Sequence, residues 1–87
     1  MKDYEEEIMQ KAIAGDAEAQ YDLAWTCRYA HDDKAAVKWY RKAAEQGHTD
    51  ALFWLGWMYS EGLGVTQDHE EAVRWFGRYT EMMETVR

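Results

Sequence analysis

With 87 residues the chain has room for a single domain, residues 1–87, with a marginal core, and its net charge of −7 excludes nucleic acid as a natural partner because carboxylates repel phosphates. One cysteine cannot form a disulfide framework or a thiol metal site, which points to a reducing, cytoplasmic setting. The longest apolar run, "ALFWLGWMY", is too short to span a bilayer, so no membrane partner is expected. No secretory leader is expected either, since "MKDYEEEIMQKAIAG" puts an acidic triplet where a leader needs basic and then apolar residues.

In chain order, the first predicted helix is "EEEIMQKAIAG" (Glu5 to Gly15), placed at 3–14 and closed by Gly15. In the second, Ala19, Leu23 and Cys27 recur every four residues, with Ala24 as a small neighbour. Asp32 stands where a cap would open the third helix, whose Ala36, Trp39, Tyr40 and Ala43 share one face, and Gly47 ends it. Ala51, Leu55 and Tyr59, with Gly56, repeat the pattern in the fourth. Gly62 and Gly64 bracket a loop that needs positive φ, and Asp68 with Glu71 makes a capping pair. The fifth helix carries Ala72, Trp75, Phe76 and Tyr79 on one face and runs on through "RYTEMMETVR", polar as a closing helix should be, to end at 79–87. No segment has a strand signal.

Two of these segments are copies. "GDAEAQYDLAWTC" (Gly15 to Cys27) aligns with "GHTDALFWLGWMY" (Gly47 to Tyr59) at an offset of 32, matching Ala19 to Ala51, Tyr21 to Phe53, Leu23 to Leu55 and Trp25 to Trp57. "DDKAAVKWYRK" (Asp32 to Lys42) aligns with "DHEEAVRWFGR" (Asp68 to Arg78) at an offset of 36, matching Ala36-Val37 to Ala72-Val73 and Trp39-Tyr40 to Trp75-Phe76. The first unit, 16–46, is therefore the second, 48–78, with four loop residues missing around "GLGV". The N-terminal helix reads as the tail of a further second half-unit.

The stretch from Lys11 to Phe76 resembles the Sel-one-like repeats, a subclass of the tetratricopeptide-like helix-turn-helix arrays. Their pattern, A-x-Y-x-L-G-x-x-Y-x-x-G-x-G-V-x-x-D-x-x-K-A-x-x-W-Y-x-K-A-A-x-x-G, matches the second unit nearly throughout. The resemblance implies an all-α, right-handed α-α superhelix of antiparallel helix pairs, about five helices here, and scaffolding through protein contacts rather than catalysis. Family members serve often in bacterial or organelle quality control. The first unit departs from the pattern by lacking the G-x-G-V loop and by having Cys27 in place of tyrosine. The lone Cys27 also sets the chain apart from secreted members, which staple each unit with paired cysteines.

In such arrays the first helix of each unit lines a concave face. Tyr59, Trp39 and Trp75 are assigned to the core, and Phe53, matching Tyr21, is expected half buried. Trp25 and Trp57 either pack the two first helices together or face a partner. Trp54 aligns with Asp22, so no need shared by both units explains it, and it is expected partly exposed. The candidate binding face comprises Glu18, Tyr21, Asp22, Trp25, Arg28, Tyr29, Asp50, Trp54, Trp57 and Glu61: aromatic anchors rimmed by carboxylates.

Chemistry-bearing patterns are sparse. His31, His48 and His69 fall at helix entries or loops with unrelated phases, so no metal site and no cofactor is expected. Cys27 reads as a packed small residue, and "GLG" lacks the lysine and strand of a phosphate cradle. The chain thus reads as a non-enzyme, a small interaction module for a protein or peptide with basic character. An alternative is a dedicated inhibitor of a basic toxin or enzyme, such as an immunity protein or antitoxin. A homodimer formed through open repeat ends is a further expectation.

Overall fold

The structure, a computed structural model, describes residues 4–85. Five α-helices follow one another: α1 (Tyr4–Ile13), α2 (Ala17–Tyr29), α3 (Asp33–Glu45), α4 (Thr49–Glu61) and α5 (His69–Thr85). No strand occurs among the described residues. The start of the predicted first helix at position 3 and the last two residues of the closing helix lie outside them.

One turn design joins the first four helices. Gly15 (φ 106°), His31 (φ 63°) and Gly47 (φ 88°) each hold a left-handed backbone just past a helix end. The next residue's amide then returns to a carbonyl in the last helical turn: Asp16 to Lys11 (3.0 Å), Asp32 to Cys27 (2.9 Å) and His48 to Ala43 (3.1 Å). Each of these next residues also caps the following helix, accepting from Ala19 (3.0 Å), Ala35 (3.2 Å) and Ala51 (3.2 Å) respectively. One helix is therefore closed and the next opened by two adjacent residues, spaced 16 apart along the chain (31 − 15 and 47 − 31). The sequence signalled this at the glycines but not at His31, where a non-glycine residue takes the strained position.

The fourth connection differs. Gly62 ends α4 in the left-handed region, the chain continues through Leu63 to Gln67, and Asp68 then caps α5 through the Glu71 amide (3.1 Å). At Gly64, with φ 72°, a side chain would run into the Asp33 carbonyl, so this loop lies directly on the entry to α3. The four extra residues of the second unit thus lock it onto the first.

Extensive packing runs only between consecutive helices, and the molecule measures 44 × 32 × 16 Å. Small residues make the seams close: Ala24, Ala36, Ala43, Ala44 and Ala51 are fully buried, around Tyr40, Leu52, Leu55 and Met58. A relay of amides ties the first turn to the end of α3, with Gln46 Nε2 donating to the Gly15 carbonyl and Gln20 Oε1, and Gln20 Nε2 donating to the Ala12 carbonyl.

Two of the three core assignments, Trp39 and Tyr59, need refinement. Trp75 is buried, but its counterpart Trp39 is only half buried, with the Lys38 and Lys42 ammonium groups 5.5 and 6.0 Å from its ring. Trp39 borders Ala12, Ile13 and Gly15, where the short α1 ends, whereas Trp75 lies under Arg78, which reaches the Ala44 carbonyl of the first unit. Tyr40 takes the central place that Trp39 was expected to share. Tyr59 packs against the core but keeps its hydroxyl at the edge, where Arg41 donates to it. Position also decides exposure at the valines: Val37 on α3 is 5% exposed, in the core, and its counterpart Val73 on α5 is 67% exposed.

Trp75→Ala should cost about 3–5 kcal/mol, the usual range for a buried tryptophan, and Trp39→Ala about half of that. Urea unfolding of the two variants checks the order; equal losses would contradict the asymmetry. Gly64→Ala should cost at least about 1–2 kcal/mol from the left-handed backbone alone, and more from the collision with α3. Gly77→Ala, on α5 with open space around it, should be neutral or stabilising in the same assay.

Candidate protein-interaction face

Helices α2 and α4 are not consecutive, and they meet chiefly through side chains. Trp25 on α2 lies 5.8 Å from Trp54 on α4, centroid to centroid, and Trp54 in turn meets Trp57 edge-on at 5.5 Å and Phe53 at 5.2 Å. Into this group α2 sends Arg28, whose guanidinium carbon is 5.0 Å from Trp25, 4.5 Å from Trp54 and 5.3 Å from Trp57. Three indoles therefore surround one cation, an arrangement favourable by about 0.5–2 kcal/mol per well-placed ring.

Arg28 forms no ion pair among the described residues, although the chain is strongly acidic. Its Nη1 is buried without a hydrogen-bond partner, and so is the nearby Tyr40 hydroxyl. Burial pushes the Tyr40 phenol up to about 12, with the Arg28 charge opposing the rise. The rings hold this arginine through their faces.

A second bridge between the units lies nearer the N-terminal ends of the two helices. The Tyr21 and His48 rings stack at 4.6 Å, and His48 Nε2 is 2.9 Å from the Glu18 carboxylate. His48 Nδ1 accepts the Ala51 amide as the cap of α4, which leaves Nε2 as the nitrogen that faces the Glu18 carboxylate. The sequence placed His48 at a helix entry but gave no sign that it links the units, because Glu18 lies 30 residues away.

The other candidates fall around these clusters. Tyr29 is exposed and borders a small hollow with Trp25 and Arg28; Asp50 and Glu61 are exposed on α4. Burial raises the Tyr21 phenol, the Asp50 charge adds to the rise, and the Trp54 indole N–H opposes it. Asp22 is partly buried. Its carboxyl is raised above the ordinary range by loss of hydration first and by the Glu18 charge second, with His48 opposing. Trp54 is half buried and Trp25 is 42% exposed, so the rings both hold the two units together and present a surface. Phe53 is 36% exposed and belongs to a further ring group with Phe76 and Tyr79, which places it towards α5 rather than α2.

Cys27 packs against the core, and burial raises its thiol, with Asp32 adding to the rise. Among the described residues, no three His, Cys, Asp or Glu side chains converge to hold a metal. None of their helices is long and apolar enough to cross a membrane.

Comparison with known proteins agrees with the geometry. The sequence profile of the Sel1 repeat matches residues 17–48 and 49–78, one unit for each antiparallel pair α2–α3 and α4–α5. An exopolysaccharide production negative regulator of Rhizobium leguminosarum bv. viciae is 54% identical over 39 residues, which is 45% of this chain and 15% of that protein. No solved structure matches significantly. Two successive Sel1 units, built from the paired helices and shared turns described above, place the chain in the Sel1 repeat family, whose repeats mediate contacts between proteins.

Proposed function

We propose that the chain is a non-enzymatic interaction module that binds a protein or peptide on the face shared by α2 and α4, the concave side of the array. The observation that carries this reading is Trp54. It stands where the first unit has Asp22, gathers Trp25, Trp57 and Arg28 around it, and keeps part of its ring at the surface. Half-exposed tryptophans on a preorganised scaffold are the side chains that most often anchor protein interfaces.

Charge gives the partner a character. The one cation of the face, Arg28, is enclosed by indoles, while Glu18, Asp22, Asp50 and Glu61 supply the outward carboxylates. Asp22 bears its charge against the local environment, as its raised carboxyl shows. A basic segment laid across the face would relieve that cost and be drawn in by the long-range field. The match to a negative regulator covers a small part of that protein, and it is compatible with a regulatory partner here.

On a folded variant, Trp54→Ala should weaken partner binding roughly thirtyfold, about 2 kcal/mol. Asp50→Lys with Glu61→Lys should slow association and flatten its salt dependence. The partner is obtained by cross-linking capture on the native chain and its affinity is measured by calorimetry. Unchanged affinity in folded Trp54→Ala would defeat the reading.

Asp22 makes a separate prediction in the free protein. Because its folded carboxyl is raised, the folded state holds the proton more tightly, and the charge becomes a cost as pH rises through that raised range. Asp22→Asn should therefore melt above the parent at neutral pH. The difference should close as the pH falls below the ordinary carboxyl range, as followed by thermal melts across pH.

A further inference from the structure

The tryptophan face leaves unused a furrow between α1 and α2 of about 300 Å³. Its apolar walls are Ile8 and Met9 from α1 and Leu23 from α2, with the exposed Tyr4 at one end. Glu5 and Asp22 stand on opposite walls, and Thr26, whose hydroxyl donates to the Asp22 carbonyl, lies beside Leu23. An adjoining hollow shares Tyr4, Ile8 and Asp22 and adds Asp16, Glu18 and one cation, Lys11. No ion pair among the described residues joins Lys11 to any of these carboxylates, and none holds Asp22.

The furrow exists because α1 packs extensively only on α2, and Met9 stays 40% exposed at its edge. Its volume suits a side chain rather than a large cofactor. Methionine on one wall adapts to the shape of an incoming aliphatic group. Carboxylates on both sides of an apolar floor exclude anionic lipid surfaces and nucleic acid, and they favour a cation at each end of the inserted group.

We propose that this furrow is a second recognition site, taking an aliphatic side chain flanked by lysine or arginine in a partner polypeptide. The aliphatic group enters between Ile8, Met9 and Leu23, and the flanking cations meet Glu5 and Asp22. This goes beyond the tryptophan face while resting on the same view of the chain as an interaction module. The two sites meet at Asp22, about one helical turn from Trp25, so one basic segment running along α2 reaches both.

The test is an amide nuclear magnetic resonance titration of the full chain with a short blocked peptide built on a Lys-Leu-Leu-Lys core. The expected result is a set of shifts at Ile8, Met9, Leu23 and Thr26 with the Trp54 and Trp57 indole N–H signals unmoved. Replacing the leucines of the peptide by serine should weaken binding roughly tenfold through lost apolar burial. On the protein, Met9→Ser and Glu5→Gln should each weaken binding several-fold, with the amide spectrum otherwise preserved as the check on folding. Equal affinity of the serine peptide would reduce the effect to bulk charge and overturn the proposal. Concentration-dependent shifts of the same amides without peptide would overturn it too, by assigning the furrow to a second copy of the chain. Shifts confined to the indoles would remove the furrow and leave the tryptophan-face reading standing. Furrow shifts combined with a partner indifferent to Trp54→Ala would uphold the furrow and remove the other reading.

Discussion

Each helix of this protein packs extensively only on its neighbours in the chain, so each seam must be close enough to hold without help from elsewhere. Alanine and glycine meet that constraint. A Cβ at Gly56 would stand 2.9 Å from the Phe76 ring, closer than real contacts allow, so α5 approaches α4 as nearly as α4 permits. Around these small residues a few large ones, Tyr40, Leu52, Leu55 and Met58, fill the remaining space completely. A core so thin cannot lose a member cheaply, and the paired turn residues matter for the same reason: they fix the angle at which each seam begins. The 16-residue rhythm of those turns is therefore as much a part of the fold as the apolar stripes.

The repeat explains why so much of this was legible. The apolar residues at intervals of four, the capping aspartates and the terminal glycines are local signals, and all five helices followed from them. Exposure was less legible because it depends on what lies beyond a helix, not on the helix itself. Val37 and Val73 occupy one repeat position, as do Trp39 and Trp75, yet each pair divides according to whether a neighbouring unit covers it. The left-handed His31 was hidden because histidine does not announce positive φ; only the closing geometry of the shortened first unit demands it.

The candidate face was legible in part. The aromatic and acidic residue types could be read directly, as could the oddity of Trp54. Their grouping around Arg28 could not, since a guanidinium that sits on ring faces leaves no spacing signature like that of an ion pair at i and i+4. His48 was hidden for a related reason, because its two partners, Ala51 and Glu18, lie on different repeats.

Arg28 also changes what the aromatic cluster can recognise. An empty cage of three indoles would be a receptor for an external cation, and an acidic rim would strengthen that preference. Here the cage already holds the chain's own guanidinium, 4.5 Å from the Trp54 ring, so a partner's cation has no place in it. In the proposed reading a partner's basic groups would meet the outer carboxylates, while the exposed parts of Trp25 and Trp54 would offer apolar contact. Because Arg28 and Trp25 come from the first unit and Trp54 and Trp57 from the second, the shape of the face depends on the spacing of the two units. The seam between α3 and α4, and the loop that rests Gly64 on the entry to α3, therefore set the geometry of the proposed face as well as the stability of the stack.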